Sequence, residues 1–188
     1  ERAARKPDPP AARSLPVASV GVVGAGTMGA GIAAALAAAG LEVTVYDAAS
    51  EARERGAATV RAALTDLGKP NAAVTFAADL SALSSSALFI EAVFEDMTTK
   101  TAVMRALSAI ARPGAVLATN TSYLDIDALA AAGARAEQTL GLHFFAPAHR
   151  MKLLEVVRGA ATSPETLATG LEIARRLGKV AVIAGAGE

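Results

Sequence analysis

A chain of 188 residues, 53% hydrophobic but only 4% aromatic, is long enough for one domain with a substantial core, and its abundant alanine suits closely approached helix–sheet layers. Eighteen basic residues balance eighteen acidic ones without a long basic block, which removes the electrostatic footprint of a nucleic-acid or anionic-membrane binder and leaves small molecules as the expected ligands. With no cysteine and two histidines, disulfides, thiolate nucleophiles and Cys- or His-built metal cages are excluded, and a cytoplasmic location is favoured.

Residues 1–17 carry Pro7, Pro9, Pro10 and Pro16 among Arg2, Arg5, Lys6 and Arg13, and read as an extended linker. No signal-peptide pattern opens the chain, which begins at Glu1 and is expected to lie inside a longer gene product. The domain proper is expected over residues 18–188. There, strand-like and helix-like runs alternate, the pattern of right-handed crossovers that build a parallel sheet. Ser19-Val-Gly-Val-Val23 reads as a first strand, followed by a glycine turn and an alanine-rich helix ending near Gly40. Residues 20–41 hold a single polar residue, Thr27, and so resemble a membrane span. Five glycines in the first half and the acidic Glu42 and Asp47 just beyond argue against one.

A second strand, Glu42-Val-Thr-Val-Tyr46, stops at Asp47, and residues 50–67 form an amphipathic helix ended by Gly68 and Pro70. Short strands are predicted at 74–76 and 87–93, a helix at 98–111, a strand at 115–119 and a polar turn, Asn120-Thr-Ser122. A short helix from Asp125 leads to strands at 139–145 and 151–157. A helix at 164–177, N-capped by Ser163, precedes a last strand at 180–183.

Gly24-Ala25-Gly26-Thr27-Met28-Gly29 matches G-x-G-x-x-G. Alone the hexapeptide is a weak signal, but here it follows a strand, opens a helix and precedes a second strand ending in Asp47. That context predicts a Rossmann-type doubly wound, mostly parallel α/β sheet with helices on both faces, its first helix end presenting free amides to a diphosphate. A carboxylate at Asp47 would hold both ribose hydroxyls and repel a 2′-phosphate. Only Ala48 and Ala49 follow it, so NAD is favoured over NADP.

His143 and Glu155 are equidistant from His149, so an antiparallel hairpin centred there would set carboxylate against imidazole and make His143 a proton acceptor. On spacing alone the commoner outcome is a structural histidine satisfied by backbone, with Glu155 on a solvated face. His149, in a Pro-containing turn, is expected to be exposed. Asn120-Thr-Ser122 follows a strand's carboxyl end, where doubly wound folds place ligands, and equally suits a helix cap.

Together, Gly24-Ala-Gly-Thr-Met-Gly29, Glu91-Ala-Val-Phe-Glu95, Asn120-Thr-Ser122, Gly141-Leu-His-Phe-Phe145 and Lys152-Leu-Leu-Glu-Val-Val157 resemble the 3-hydroxyacyl-CoA dehydrogenase family over residues 19 to 184. Glu91-Ala-Val-Phe-Glu-Asp96 and Asn120-Thr-Ser-Tyr-Leu-Asp125 are especially similar to its multifunctional fatty-acid oxidation members, in which an enoyl-CoA hydratase domain precedes this one. The resemblance implies oxidation of (S)-3-hydroxyacyl-CoA to 3-ketoacyl-CoA with NAD. It implies His143 as general base, Glu155 as its partner and Ser122 as a donor to the reacting oxygen. Residues Gly24 to Gly29, Asp47, Ala92, Glu95, Lys100, Asn120 and Ser122 are then cofactor contacts. The implied partners are an acyl-CoA thioester, the upstream hydratase domain and a downstream helical domain.

Three departures from the family pattern stand out. Ala146 occupies a position usually held by Asn or Ser, and only Gly68-Lys-Pro-Asn-Ala-Ala73 replaces a longer helical excursion that contacts CoA. The family also continues beyond the position of Glu188 into its helical domain, which is absent here, so the resemblance implies a piece that binds NAD with little activity alone. Two other readings use the same cofactor turn: a dehydrogenase of a free short hydroxy acid, and a nucleotide-binding module that has lost its chemistry.

Overall fold

The computed structural model describes residues 12–185. Among the described residues eight strands form one sheet: β1 (Ser19–Val23), β2 (Glu42–Tyr46), β3 (Thr75–Ala77), β4 (Leu88–Glu91), β5 (Val116–Thr119), β6 (Thr139–Phe144), β7 (Leu153–Arg158) and β8 (Val180–Gly185). Their spatial order is β3-β2-β1-β4-β5-β6-β7-β8. The first six strands are parallel, in the doubly wound order that leaves a crevice between β1 and β4 at their carboxyl ends. β7 turns back antiparallel to β6, and β8 runs parallel to β7.

Five α-helices connect these strands: α1 (Thr27–Ala38), α2 (Ser50–Asp66), α3 (Met97–Ile110), α4 (Ile126–Gly133) and α5 (Pro164–Arg176). Side chains alternate along each strand, so the buried sheet feeds two cores. On one face Val22, Val45, Leu140 and Val156 meet Ile32 and Leu36 of α1 and Ile173 of α5. On the other, Val23, Phe89 and Leu117 meet Met104 and Leu107 of α3 and Leu129 of α4. Alanine dominates α1, where Ala30, Ala33 and Ala34 have no exposed surface, and this lets the helix lie close to the sheet.

Helix starts follow the side chains that can satisfy their free amides. Asp96 accepts from the Thr99 amide, Asp125 from those of Asp127 and Ala128, and Ser163 from that of Thr166 ahead of Pro164. The end of α3 is closed from outside, by Arg135 donating to the carbonyls of Ser108, Ala111 and Arg112.

Several expected boundaries shift. The fourth strand, expected over 87–93, is confined to Leu88–Glu91, because the chain leaves the sheet at Ala92 after its amide bonds the Val23 carbonyl. Two 3-10 turns, Leu80–Leu83 and Ala136–Gln138, were not expected and are too short to carry a helical period. His149 is half-buried rather than exposed: its Nε2 lies 3.3 Å from the Asp66 carboxylate, which Arg150 also grips at 2.5 Å. Together with Lys179, which donates to the carbonyls of Ala148 and Met151, these bonds tie the β6–β7 turn to α2 and to the turn between α5 and β8. Most of the expected linker, residues 1–11, and residues 186–188 lie outside the described residues. Leu15 and Val17 lay their side chains on the core. No helix among the described residues is long and apolar enough to cross a membrane.

Ala134, which follows α4, has φ 52°, a left-handed conformation that a Cβ disfavours. Ala134→Gly is expected to stabilise the fold by about 1 kcal/mol, read as a higher urea midpoint with an unchanged slope. An unchanged or lower midpoint would count against strain at this cap.

Candidate active site

The turn between β1 and α1 depends on glycine at two places. Gly24 has φ +102°, and a Cβ there would sit 2.8 Å from the Ala92 carbonyl oxygen, where β1 and β4 diverge. A Cβ on Gly29 would collide with the Gly24 carbonyl, so only glycine lets α1 begin directly beneath the turn. Gly26 is exposed, with nothing within 4 Å of the Cβ position, and no side chain caps the start of α1. The result is an open cradle with free amides and a partial positive charge, which fits a diphosphate.

Asp47 sits at the end of β2. One carboxylate oxygen accepts from the Ala25 amide at 2.9 Å and the other from the Ala49 amide at 3.1 Å. The group is thereby fixed beside the glycine turn with lone pairs left over for two ribose hydroxyls.

A crevice of about 350 Å³ continues from Met28 past Ala92 to Glu95, Asn120, Ser122, His143 and Ala146. Asn120 spends its side-chain oxygen on the Phe144 amide at 2.8 Å, joining the ends of β5 and β6. A larger crevice of about 630 Å³ opens on the other side of Ser122, lined by residues 121–127 with Glu155, Val157 and Ala184. Ser122 borders both.

Beneath the crevice lies a charge network that the sequence reading did not single out as such. Glu91 and Lys100 are buried, at 0% and 1% exposure, and Lys100 Nζ lies 2.9 Å from both Glu91 oxygens. Glu91 also accepts from the Thr119 hydroxyl and from the Val93 amide. Lys100 reaches Glu95 at 3.2 Å. Glu95 in turn accepts from the Thr121 hydroxyl at 2.5 Å, the Ser122 amide at 2.8 Å and the Ser122 hydroxyl at 3.2 Å. Lys100, expected to contact cofactor directly, is therefore covered by Glu95 and acts on the crevice through it. The available signal was Glu91 itself: an acid inside the apolar run Leu88-Phe-Ile must find a buried cation.

His143 and Glu155 face each other across β6 and β7 in the register expected from their spacing about His149. His143 Nδ1 lies 2.8 Å from Glu155 Oε2, and the imidazole packs on the Phe145 ring with centroids 4.3 Å apart. A carboxylate on Nδ1 fixes the ring's orientation, leaves Nε2 for a proton and stabilises the charged ring once the proton arrives. The structure thus gathers Gly24 to Gly29, Asp47, Ala92, Glu95, Asn120, Ser122 and His143 along one line of strand ends, with Glu155 behind His143 and Lys100 below Glu95. No cluster of potential metal ligands occurs among the described residues.

Residues 19–186 match the family model described as 3-hydroxyacyl-CoA dehydrogenase, NAD binding domain. A peroxisomal bifunctional enzyme of Cavia porcellus is 48% identical over 110 residues, which are 58% of this chain and 15% of that protein. Among solved structures, the 3-hydroxybutyryl-CoA dehydrogenase of Escherichia coli K12 superposes with a TM-score of 0.86 at 36% identity, over 92% of this chain and 39% of that one. The (S)-3-hydroxybutyryl-CoA dehydrogenase of Ralstonia eutropha does so with 0.86 at 33% identity, over 92% and 65%. The chain therefore spans a small part of the curated relative and less than two thirds of either solved enzyme.

Burial pushes the Glu95 carboxyl upward, but bonds from Thr121, the Ser122 amide and Lys100 outweigh it and hold the group below the ordinary glutamate range. A depressed carboxyl contributes stability that is present above its unfolded value and lost as pH falls through its folded one. Glu95→Gln is therefore expected to lower the urea midpoint at neutral pH, with the gap from the parent narrowing as the solution is acidified below that range. A gap independent of pH would count against the ionised junction.

Proposed function

From a chain that belongs to the 3-hydroxyacyl-CoA dehydrogenase family, through its NAD-binding domain, we propose the cofactor half of an enzyme that oxidises the C3 hydroxyl of (S)-3-hydroxyacyl-CoA to the ketone. The observation that carries the reading is the His143–Glu155 pair, at 2.8 Å, whose imidazole lines a crevice shared with Ser122 that reaches Met28 of the glycine cradle. Bound NAD supplies the hydride acceptor for the hydrogen on C3. His143 takes the hydroxyl proton on Nε2, and Glu155 offsets the charge that the ring acquires. The Ser122 hydroxyl, which donates to Glu95 in the resting site, turns to the substrate oxygen and holds it near the imidazole. Gly26 and the start of α1 hold the diphosphate, Asp47 the ribose, and Glu95, braced by Lys100, shapes the wall beside Ala92 and Asn120.

Cofactor binding, on this reading, resides within residues 19–186, whereas turnover needs more polypeptide, since both solved dehydrogenases extend well beyond the region matched here. The bifunctional name of the Cavia porcellus relative supports an enoyl-CoA hydratase domain as neighbour. We place the protein in the cytoplasm on its composition, although that relative is named peroxisomal.

In the full-length enzyme, His143→Ala is expected to lower kcat for (S)-3-hydroxybutyryl-CoA by about 10²–10⁴-fold while NADH still binds, and Glu155→Gln to lower it less. Steady-state kinetics beside a fluorescence titration with NADH reads both effects. An unchanged rate in His143→Ala would remove the histidine from the reaction.

A further inference from the structure

The sequence directly after Asp47 offers only Ala48 and Ala49, but the helix that follows brings a cation back to the same place. Arg53, six residues on, folds over the end of β2, and its Nη1 donates to the Asp47 carbonyl at 2.6 Å and the Ala48 carbonyl at 2.9 Å. Both hydrogens of Nη1 are used in this way. Nε and Nη2 have no acceptor among the described residues, and no carboxylate there lies within ion-pairing distance of the guanidinium. The Asp47 carboxylate is meanwhile immobilised by the amides of Ala25 and Ala49. A fixed anion and a pre-positioned, half-spent guanidinium thus border one turn, at the place where the ribose of a dinucleotide rests.

We propose that Arg53 is a 2′-phosphate ligand held in reserve, silent while the Asp47 carboxylate beside it repels that phosphate. The inference rests on the assignment of Asp47 to the cofactor ribose. A 2′-phosphate replaces a hydroxyl that donates to Asp47 with a dianion that Asp47 repels. The free Nε–Nη2 edge of Arg53 is the fork that pairs with two phosphate oxygens, and it cannot be deprotonated. With the carboxylate in place repulsion prevails; without it Glu51, on the first turn of α2, is the anion left near the guanidinium, and it forms no ion pair with it. If Arg53 merely braces the turn through the two carbonyls, its loss affects both cofactors alike.

The test is a comparison of four proteins, the parent, Asp47→Ser, Arg53→Gln and the double variant, each titrated with NADH and NADPH by fluorescence. The readout is the ratio of the two dissociation constants, in which partial loss of folded protein cancels. Asp47→Ser is expected to shift that ratio toward NADPH by about a hundredfold. Adding Arg53→Gln should return about tenfold or more of the shift, with NADPH affinity in Asp47→Ser falling faster with salt than NADH affinity. Equal ratios in the single and double variants would overturn the role of Arg53. Absence of NADH binding by the parent would overturn the cofactor reading instead. Should circular dichroism find Asp47→Ser unfolded, Asp47→Asn, which keeps an oxygen for one of the two amides, carries the same comparison.

Discussion

The crevice is held in shape by a cation that never reaches it. Lys100 is enclosed between Glu91 at the end of β4 and Glu95 in the following loop. Stripping water from two charged groups, Glu91 and Lys100, costs several kcal/mol for each ion, and only close pairing with full hydrogen bonding offsets that cost. The structure meets the requirement: no buried side-chain polar atom among the described residues lacks a partner. Because Thr119, Thr121 and Ser122 supply the remaining bonds, the loops after β4 and β5 cannot move apart without exposing an unpaired charge. The floor on which a nicotinamide and a substrate oxygen would meet is therefore coupled to the sheet itself.

The reversal of β7 has a comparable consequence. A parallel β7 would have placed Glu155 far from His143, whereas an antiparallel return sets them opposite each other and leaves the imidazole at the mouth of the crevice. The turn that makes this return is anchored from outside by Asp66, which binds both His149 and Arg150, and by Lys179 through two carbonyls. The second histidine of the chain thus has a structural use, as a brace for the strand that carries the first. Ser122 lies between the smaller crevice and the larger one and borders both.

Local residue patterns were enough for the alternation of strand and helix, the glycine turn, Asp47 at the end of the second strand and the Ser163 cap. Each of these follows from a period, a backbone requirement or a spacing within a short stretch of chain. On spacing alone, by contrast, His143 was the structural histidine, and its pairing with Glu155 rested on a hairpin that the structure supplies. The shortened β4 was not legible, because strand ends depend on which neighbour accepts the next amide. Nor was the place of Lys100, read as a cofactor contact but covered by Glu95, nor the burial of His149.

What the sequence by itself determined, then, was the class of fold and the kind of ligand, since glycines spaced for a tight turn and an acid one strand later impose the same local geometry wherever they occur. Only the tertiary structure decided which charges meet. Glu91 with Lys100, Asp66 with His149 and Arg53 with the carbonyls of Asp47 and Ala48 are pairings made by helices folding back on strand ends and turns. Their partners are chosen by the need to satisfy buried or confined charge in three dimensions, which residue type and spacing do not specify even where the partners are near in the chain.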